Sequence, residues 1–590
     1  MYRVERVKMR PSDHLLLIGK SKFSRGEHPA SFIDRDWSRA WESFLLQEVG
    51  GYTCCPLREF DLSQIARFRV VYLTTSAGEE LSREAVSSLG SFVESGGTLV
   101  VEGSAARAFD PCGVRLRDER QIFKRVTSIK RDAWPRELIE CLLRMPLYTS
   151  GYPVDSTETD VKGILEMEGV PAVLERRLGQ GKIVILTFDF GALLTGLQQG
   201  LPAQGRKQLQ KLFGTQTRVV EPEDLVLTAS LLDNPIPWAD LLERFLFRVI
   251  TADAPAPRWW YFPGKYPGAL ISTHDDEAIG WDPRLQKMEE EERKLGVRGT
   301  LFVISDKRLH SRWGGNGALR RTARDGSEIA LHWNRFEKPR LKIRSFKFGM
   351  HEFPLKDQLA LLEKETGGPV RINRSHFLAL GRSYGEHFER LAGHGILLDS
   401  TYGPNQGGRG YLFGSGYPYH GLTWEGKLSG VFELPFQTQE MWGGADLAFL
   451  KRLISESGEI YHQAVVMNFH PHYTITREKG REMWLESLRF AREKSQWIPT
   501  LGEFFKFFCE RNESVIESHW SDRRLTINTE AKGETLTLSL PVRPSAGGNL
   551  PQVTVDGSLV TPERVGNAWF EECLVPVPRG KHTVEADYET

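Results

Sequence analysis

Short apolar runs alternate with amphipathic stretches through the first third of the chain. Amphipathic stretches at 36–50 and 81–97 have the apolar spacing of helices, and each ends in glycine. The continuous apolar runs predict buried strands at 13–20, 68–75, 98–103 and 182–191. Such strands alternating with helices indicate a flavodoxin-like α/β domain, with a parallel sheet covered on both faces, over residues 1–215.

The same alternation returns after a helical linker predicted at 216–264, whose end is rich in proline and aromatic residues. Six strands are predicted, each with polar residues at or just after its end, at 268–277, 297–304, 327–333, 395–401, 430–436 and 463–472. Functional residues of barrels and doubly wound sheets gather at the carboxyl ends of strands. We therefore expect a distorted (β/α)7-type barrel over residues 265–512 with its site at that edge.

The last part, 513–590, has a different pattern. Runs such as LTINTE, ETLTLSL and HTVEADY alternate apolar and polar residues with a period of two. This period predicts a small C-terminal antiparallel β-sandwich with one solvated face on each sheet. Its expected role is to cap the barrel, with glycan binding as the alternative.

Charge and cysteine content exclude several classes of protein. The 590 residues carry 77 Lys and Arg against 77 Asp and Glu, so the formal net charge is 0, which argues against a basic nucleic-acid-binding face. The start of the chain lacks the pattern of a signal peptide, and no apolar run is long enough for a transmembrane segment. Six cysteines without a C-x-x-C spacing make a thiolate zinc site improbable. The expected location is cytoplasmic, and the sequence indicates no particular oligomer.

Acidic, imidazole and guanidinium groups follow the predicted strands of the middle part in a fixed order. Asp275 and Asp276 end the first strand, and adjacent carboxylates repel each other unless a cation or a raised pKa relieves them. The groups that follow are His332, then Arg374 and Asp399, and finally His470.

This order resembles the polysaccharide deacetylases, the NodB-homology or carbohydrate esterase family 4 group, over about residues 265–510. The run DSTYGPNQGGRGYLFGSGYPY (399–419) is similar to a divergent bacterial branch of that superfamily. The segments that carry the resemblance are Thr273–Asp276, Glu328–His332, Arg374–Phe377, Leu398–Thr401 and Phe469–His470.

The resemblance implies a hydrolase that removes an N-acyl group, such as acetyl, from an amino sugar or polysaccharide. Asp276 and His332 would hold a divalent metal, zinc first and Co²⁺, Ni²⁺ or Mn²⁺ as alternatives, that lowers the pKa of a bound water. Asp275 would be the general base, oriented by Arg374.

The final histidine motif supplies the other half of the implied mechanism. His470 would be the general acid that protonates the leaving amine, and Asp399 would orient it. The expected partner is a glycan or N-acylated sugar, with no nucleic acid.

One position departs from the family pattern and leaves the third metal ligand open. Phe336 stands where a second ligand histidine is usual. His351 is our first choice, because imidazole is a better zinc ligand than an amide. The alternatives are a water, Asn334, Glu277 or His376. In a second register of the first motif, Glu277 replaces Asp276 as the second carboxylate.

Aromatic and imidazole side chains near the predicted strand ends are candidates for substrate binding, because sugar rings pack on aromatic faces. The candidates are Trp333, His376, Tyr402, Tyr411 and His472.

The first domain is similar to the class I glutamine amidotransferases in pattern. Their catalytic cysteine follows a central strand, and the comparable turn here, Val101–Ala105, has Ser104 in that place. We therefore expect a non-catalytic domain. For the whole chain, the alternatives are a catalytically degenerate carbohydrate-binding or scaffold protein, an amidohydrolase of non-sugar amides, or a glycosidase.

Overall fold

The computed structural model describes most of the chain. The described residues are 12–20, 28–130, 134–202, 210–212, 215–217, 220–252, 256–276, 283–305, 317–335, 354–381, 384–405, 408–440, 446–521, 523–542, 549–567 and 570–588. The described part of the chain is a mixed α/β protein with two large sheets rich in parallel strands, two antiparallel sheets of four and five strands, and three two-stranded sheets.

The first large sheet has nine strands, in the order β2-β1-β3-β4-β11-β10-β9-β6-β7. The elements of this part are β1 His14–Ile18, α1 Pro29–Phe32, α2 Trp41–Glu48, β2 Thr53–Pro56, β3 Val70–Leu73, α3 Arg83–Glu94, β4 Thr98–Glu102, α4 Gly103–Ala108, β5 Val114–Leu116, β6 Gln121–Ile129, α5 Arg136–Arg144, β7 Pro146–Gly151, β8 Val154–Thr157, β9 Val161–Met167, β10 Val170–Leu178, β11 Gly181–Leu186, α6 Phe190–Gln199, β12 Gln210–Leu212 and β13 Thr215–Thr217.

Four of the five strands in the parallel half of this sheet were predicted, whereas the edge strand β2 and the whole antiparallel half were not. Strands β2, β1, β3, β4 and β11 are parallel neighbours, whereas β10, β9, β6 and β7 extend the sheet antiparallel. The buried residues of β6 are Phe123, Val126 and Ile129. Their spacing of three lacks the period of two that identifies a half-buried strand, so no strand was predicted there.

Both faces of the parallel half are covered, as the continuous apolar strands require. Leu15 and Leu17 of β1 pack in a cluster with residues of α3 and α4, whereas Leu16 packs in another cluster with residues of α2 and α6. Successive side chains of a strand point to opposite faces, so each strand contributes to both layers.

The second large sheet carries the candidate site. The elements of this part are β14 Asp233–Asn234, α7 Trp238–Thr251, β15 Arg258–Trp259, β16 Ala269–Asp276, α8 Pro283–Lys294, β17 Thr300–Val303, α9 Ala318–Arg324, β18 Glu328–Trp333, α10 Leu355–Thr366, β19 Ile372–Ser375, α11 Glu386–Ala392, β20 Leu398–Asp399, β21 Arg409–Gly410, β22 Tyr419–Leu422, β23 Leu428–Glu433, β24 Thr438–Gln439, α12 Leu447–Glu456, β25 Ala464–Asn468, α13 Pro471–Thr476, α14 Glu478–Glu493 and α15 Leu501–Glu513.

Its strand order is β22-β23-β20-β19-β18-β17-β16-β25-β24, and only β22 runs antiparallel to its neighbour. Within the described residues, no strand pairing joins β22 to β24, so the sheet is a half-barrel, and closure into a (β/α)7-type barrel stays a prediction. Helix α7, which falls in the predicted linker, is buried along nearly its whole length in the same hydrophobic cluster as α2 and α6.

The last part consists of antiparallel strands, as the period of two predicts. The strands are β26 Val515–Ser521, β27 Arg524–Ala531, β28 Thr537–Pro541, β29 Gln552–Val555, β30 Ser558–Val560, β31 Glu563–Asn567, β32 Phe570–Pro576 and β33 Gly580–Asp587. One sheet has the order β26-β27-β33-β29-β30, and the other has the order β15-β28-β32-β31. Buried residues of both sheets belong to one hydrophobic cluster.

A buried ionic junction ties the three parts together. Arg258 of β15 donates to Glu48 of α2 at 2.6 Å and to Glu572 of β32 at 2.8 Å. Burying these charges is tolerable only because they are paired and hydrogen-bonded. None of the described helices combines the length and the apolar character needed to cross a membrane.

Candidate functional site

The carboxyl ends of β16, β18, β19 and β25 lie at one edge of the half-barrel, because these strands and β17 are consecutive parallel strands of the sheet. The side chains brought to this edge include Asp275, His332, Arg374 and His470. Their motifs are far apart along the chain, and the parallel topology places them together.

Asp275 is a buried carboxylate held by two donors. Its Oδ1 accepts from Arg374 Nη1 at 3.0 Å, and its Oδ2 accepts from Asn468 Nδ2 at 2.8 Å. Burial by itself raises the pKa of this carboxyl, but the charge of Arg374, followed by those of His332 and His470, outweighs burial and holds the pKa below its ordinary value. Asp275 is therefore ionised at neutral pH.

Arg374 is the central cation of the site and is itself fully buried. Besides Asp275, it donates to Thr273 Oγ1 at 2.8 Å, to Ser400 O at 2.8 Å and to Ser400 Oγ at 3.0 Å. Burial lowers the pKa of this guanidinium, which still remains charged because arginine titrates far above neutrality. The ion pair between Arg374 and Asp275, which the resemblance implied, is present.

Two imidazoles approach the same oxygen of Asp275. His332 Nε2 and His470 Nε2 each lie 3.9 Å from Asp275 Oδ2. His332 Nδ1 is 3.0 Å from Arg374 O, and because a carbonyl can only accept, Nδ1 carries the proton of the neutral ring. In this neutral form of the ring, the Nε2 atom that faces Asp275 would have its lone pair directed toward the site, as in a metal-binding histidine.

Glu440, and not Asp399, contacts the second nitrogen of His470. His470 Nδ1 lies 2.8 Å from Glu440 Oε1, and the Glu440 side chain is only 1% exposed. Glu440 directly follows β24, which at two residues is too short to predict from the sequence. A carboxylate after a strand end was therefore missed, although it obeys the same rule as the others.

The role expected for Asp399 needs correction. Asp399 accepts from His387 Nε2 at 2.6 Å, from Asn373 Nδ2 at 2.7 Å and from Thr401 Oγ1 at 2.9 Å. These contacts engage both oxygens of the Asp399 carboxylate, and none of its described contacts is with His470. His387 lies within α11 among residues with a helical pattern, so nothing in the sequence distinguishes it from a core residue.

The expected metal ligands are only partly described. Asp276 and His332 are buried, whereas His351, Glu277 and Phe336 lie outside the described residues. Among the described residues, no three His, Cys, Asp or Glu side chains form a group that could hold a metal ion. A metal ion at this strand edge therefore stays a prediction, although the imidazole of His332 and the carboxylate of Asp275, with Nε2 3.9 Å from Oδ2, are donor types that zinc accepts.

Three predicted sugar-binding aromatics are core residues. Trp333, Tyr402 and Tyr411 are at most 2% exposed. Tyr402 stacks on Phe388 with ring centroids 5.6 Å apart, and Tyr411 belongs to a hydrophobic cluster. These rings contribute to packing and, as placed, offer no face to a sugar.

The two predicted substrate-binding histidines lie in different settings. His376 is mostly buried beside the site, with its ring centroid 5.1 Å from that of His332 and its Nδ1 3.1 Å from Asn334 Oδ1. His472 is exposed on α13, where its Nδ1 contacts Arg284 Nη1 of α8. Of the two, only His376 is described in contact with His332.

No family model matches the chain, and no curated protein does. Solved structures named as polysaccharide deacetylases are distantly similar to it. A protein so named from Mycobacterium smegmatis is 19% identical, with a TM-score of 0.29, over 43% of this chain and 94% of that one.

Two further solved structures are also distantly similar to the chain. A protein from Bordetella bronchiseptica named as a polysaccharide deacetylase involved in O-antigen biosynthesis is 17% identical, with a TM-score of 0.23, over 42% of this chain and 92% of that one. A mutant of a carbohydrate esterase family 4 pseudoenzyme is 15% identical, with a TM-score of 0.25, over 41% of this chain and 68% of that one. Similarity at this level carries no argument about activity, so the proposals below rest on the residues of this chain.

Proposed function

We propose that the chain is a metal-dependent hydrolase that removes an N-acyl group, such as acetyl, from an amino sugar or polysaccharide. The observation that carries the proposal is the Asp275 carboxylate, which is fixed by Arg374 and faces Nε2 of both His332 and His470. An ionised carboxylate beside an imidazole supplies a base and an acid at one place, as amide hydrolysis requires.

In the proposed reaction, Asp275 Oδ2 accepts the proton of the attacking water. The Arg374 guanidinium keeps Asp275 ionised and oriented although both side chains are buried. His470 in its protonated form donates from Nε2 to the nitrogen of the leaving amine. Its Nδ1–H donates to Glu440, which fixes the ring and stabilises the imidazolium.

The expected metal would be held by Asp276 and His332, with His351 as the proposed third ligand. When bound, a zinc ion or related divalent cation would lower the pKa of a water and polarise the acyl carbonyl. The aromatic rings at 402 and 411 are not part of this proposal, because they are packed in the core.

The proposed architecture has three parts. The barrel would close as a (β/α)7-type barrel, and the C-terminal sheets would form a β-sandwich that caps it. The N-terminal part would be a non-catalytic amidotransferase-like domain: Ser104 lies in the first turn of helix α4, which begins directly after β4, and its hydroxyl donates to Thr75 O at 2.5 Å. The Ser104 hydroxyl thus donates to a backbone carbonyl, and none of its described contacts is with a histidine that could act as its base.

A catalytically degenerate carbohydrate-binding protein is the second candidate. The observation in its favour is that the described residues contain no three-ligand metal group. Metal analysis separates the candidates: the hydrolase is expected to bind about one zinc or related ion per chain, and the degenerate protein is expected to bind none.

Release of acetate from N-acetylated glucosamine oligomers tests the proposed activity. The protein is assayed after removal of metal and after addition of Zn²⁺, Co²⁺, Ni²⁺ or Mn²⁺. Asp275→Asn is expected to lower the rate of release about 100-fold to 10,000-fold, whereas Asp587→Asn, a matched change of a partly exposed residue at the end of β33, leaves it unchanged. Release by Asp275→Asn at the wild-type rate, or hydrolysis of simple non-sugar amides in place of the sugar, would contradict the proposal.

A further inference from the structure

A second polar pair lies directly behind the site, on the opposite face of β16. His274 stands between Thr273 and Asp275, so its side chain points away from Arg374 toward the helices. His274 is fully buried, and its Nε2 lies 2.9 Å from Oε1 of Glu292 on α8. Its ring meets the edge of Trp484 on α14 with centroids 5.9 Å apart.

The other nitrogen of His274 reaches the turn that presents His470. His274 Nδ1 lies 3.1 Å from Phe469 O, and because a carbonyl only accepts, the ring donates this hydrogen bond. Phe469 N in turn donates to Thr273 O at 2.9 Å. Consecutive residues of β16 therefore hold both the N–H and the C=O of Phe469, one residue before His470.

The surroundings indicate that the pair is a built feature. It lies beside a cluster of apolar side chains that includes Leu270, Met288 and Trp484. A buried ion pair is rarely better for stability than apolar residues of the same volume, so stability alone does not account for it.

A glycine makes room for the pair. A Cβ on Gly299 would lie 2.7 Å from Glu292 Oε2 and 3.0 Å from His274 Nε2. Both separations are tighter than normal contact, so any other residue at 299 would displace the carboxylate or the ring.

We propose that His274, held by Glu292, is a positioning residue that fixes the Phe469 carbonyl and so the direction in which His470 presents Nε2 to Asp275. His274 touches neither substrate nor reacting atoms in this scheme. It links the base and the acid of the site, because Asp275 follows it on β16 and His470 follows the carbonyl that it binds. The expected effect on catalysis rests on the proposed function, whereas the expected effect on the orientation of His470 does not.

Two variants separate the two contacts of the ring. His274→Asn places an amide N–H near the position of Nδ1 and retains a donor for Phe469 O, while His274→Gln extends its amide toward Glu292 and loses that donor. Both are made together with Glu292→Gln, so that no unpaired charge is left buried.

The asparagine variant serves as the conservative rescue. We expect the His274→Gln protein to lose about 10-fold to 100-fold in kcat relative to Glu292→Gln, with KM little changed, because a displacement of about 1 Å at a reacting group has effects of this size. The His274→Asn protein is expected to lose markedly less, although its melting temperature falls as much. Equal losses of kcat in the two proteins would overturn the proposal.

A crystal structure of each variant gives a readout that needs no substrate. The His470 Nε2 to Asp275 Oδ2 separation, 3.9 Å here, is expected to change in the His274→Gln protein and to persist in the His274→Asn protein. An unmoved His470 in the His274→Gln protein would refute the positioning role even if the chain proved inactive on sugars.

If the double variants do not fold, the single variant Glu292→Gln tests the positioning role of His274. Glu292→Gln alone is isosteric and removes only the charge that holds the His274 ring. It is expected to lower kcat, and an unchanged kcat together with an unmoved Phe469 carbonyl would contradict the proposal.

Discussion

Replacing Arg374 by methionine tests how the site holds its charges. The guanidinium makes four hydrogen bonds, to Asp275, Thr273 and twice to Ser400. Methionine keeps much of the packing between the rings of Phe302 and Phe436, whose centroids lie 4.3 and 4.7 Å from the guanidinium carbon. What it removes is the partner of a carboxylate that stays buried.

The expected cost is large because Asp275 is left unpaired in a buried position. Breaking a buried ion pair by removing one partner costs about 3–5 kcal/mol. Replacing both partners, with Asp275→Asn beside Arg374→Met, removes the stranded charge. The double variant is therefore expected to be less destabilised than the sum of the single variants, by about 1–3 kcal/mol.

Native-state hydrogen exchange read by mass spectrometry is the suitable assay, because a chain with several domains need not unfold in one step. Peptides covering β16 and β19 report the local free energy of opening. The exposed pair of Arg524 and Asp587, which is joined by two hydrogen bonds, supplies the control. Arg524→Met is expected to leave exchange in β16 unchanged. Additivity of Arg374→Met and Asp275→Asn within about 0.5 kcal/mol would refute the reasoning.

Three further predictions concern the acid, the first sheet and its glycines. Glu440→Gln is expected to lower kcat about 10-fold to 100-fold with little change in KM, because the charge beside His470 Nδ1 is lost, and an unchanged steady-state kcat would contradict it. Burial, and then the charge of Asp189, raise the pKa of Glu102 to about 8, so the native state keeps a proton that the unfolded chain releases near its ordinary 4.5. The contribution of Glu102 to the free energy of unfolding should therefore be complete below about pH 4.5 and should be lost as the pH rises toward 8. Glu102→Gln should make the pH dependence of hydrogen exchange in β4 less steep. An equally steep pH dependence in the variant would contradict this prediction. Gly181→Ala should lower the melting temperature strongly, because the added Cβ would lie 2.1 Å from a backbone carbonyl oxygen. Gly163→Ala on β9 is the control, because a Cβ there would meet no atom within 4 Å. Equal melting temperatures of the two variants would contradict the prediction.

Strands with continuous apolar runs were the predictable part of this chain. The apolar runs of β16, β18 and β25 were predicted as strands with polar residues at their ends. The region of β19 was identified only by the motif that contains Arg374. Parallel strands put their carboxyl ends at one edge, so Asp275 and His470 meet although almost 200 residues separate them. The order of the motifs therefore carried information about geometry.

Partners that come from short or irregular segments were not predictable. Glu440 follows a strand of two residues, and His387 lies on a helix whose pattern is that of a core element. The burial of Tyr402 and Tyr411 is set by rings and strands from distant parts of the chain, and no local pattern separates a packed aromatic from a sugar platform. The same applies to Asp399, whose hydrogen-bond partner depends on the placement of α11.

Acetate release by the metal-loaded protein, compared between wild type and Asp275→Asn, tests the central claim most directly. A general base contributes about 100-fold to 10,000-fold to such a reaction, so the account predicts that the variant loses activity on that scale while it stays folded, with a lower melting temperature, and retains its metal content. Equal rates of acetate release by the two proteins, or no release by wild type with any of the four metals, would contradict the account.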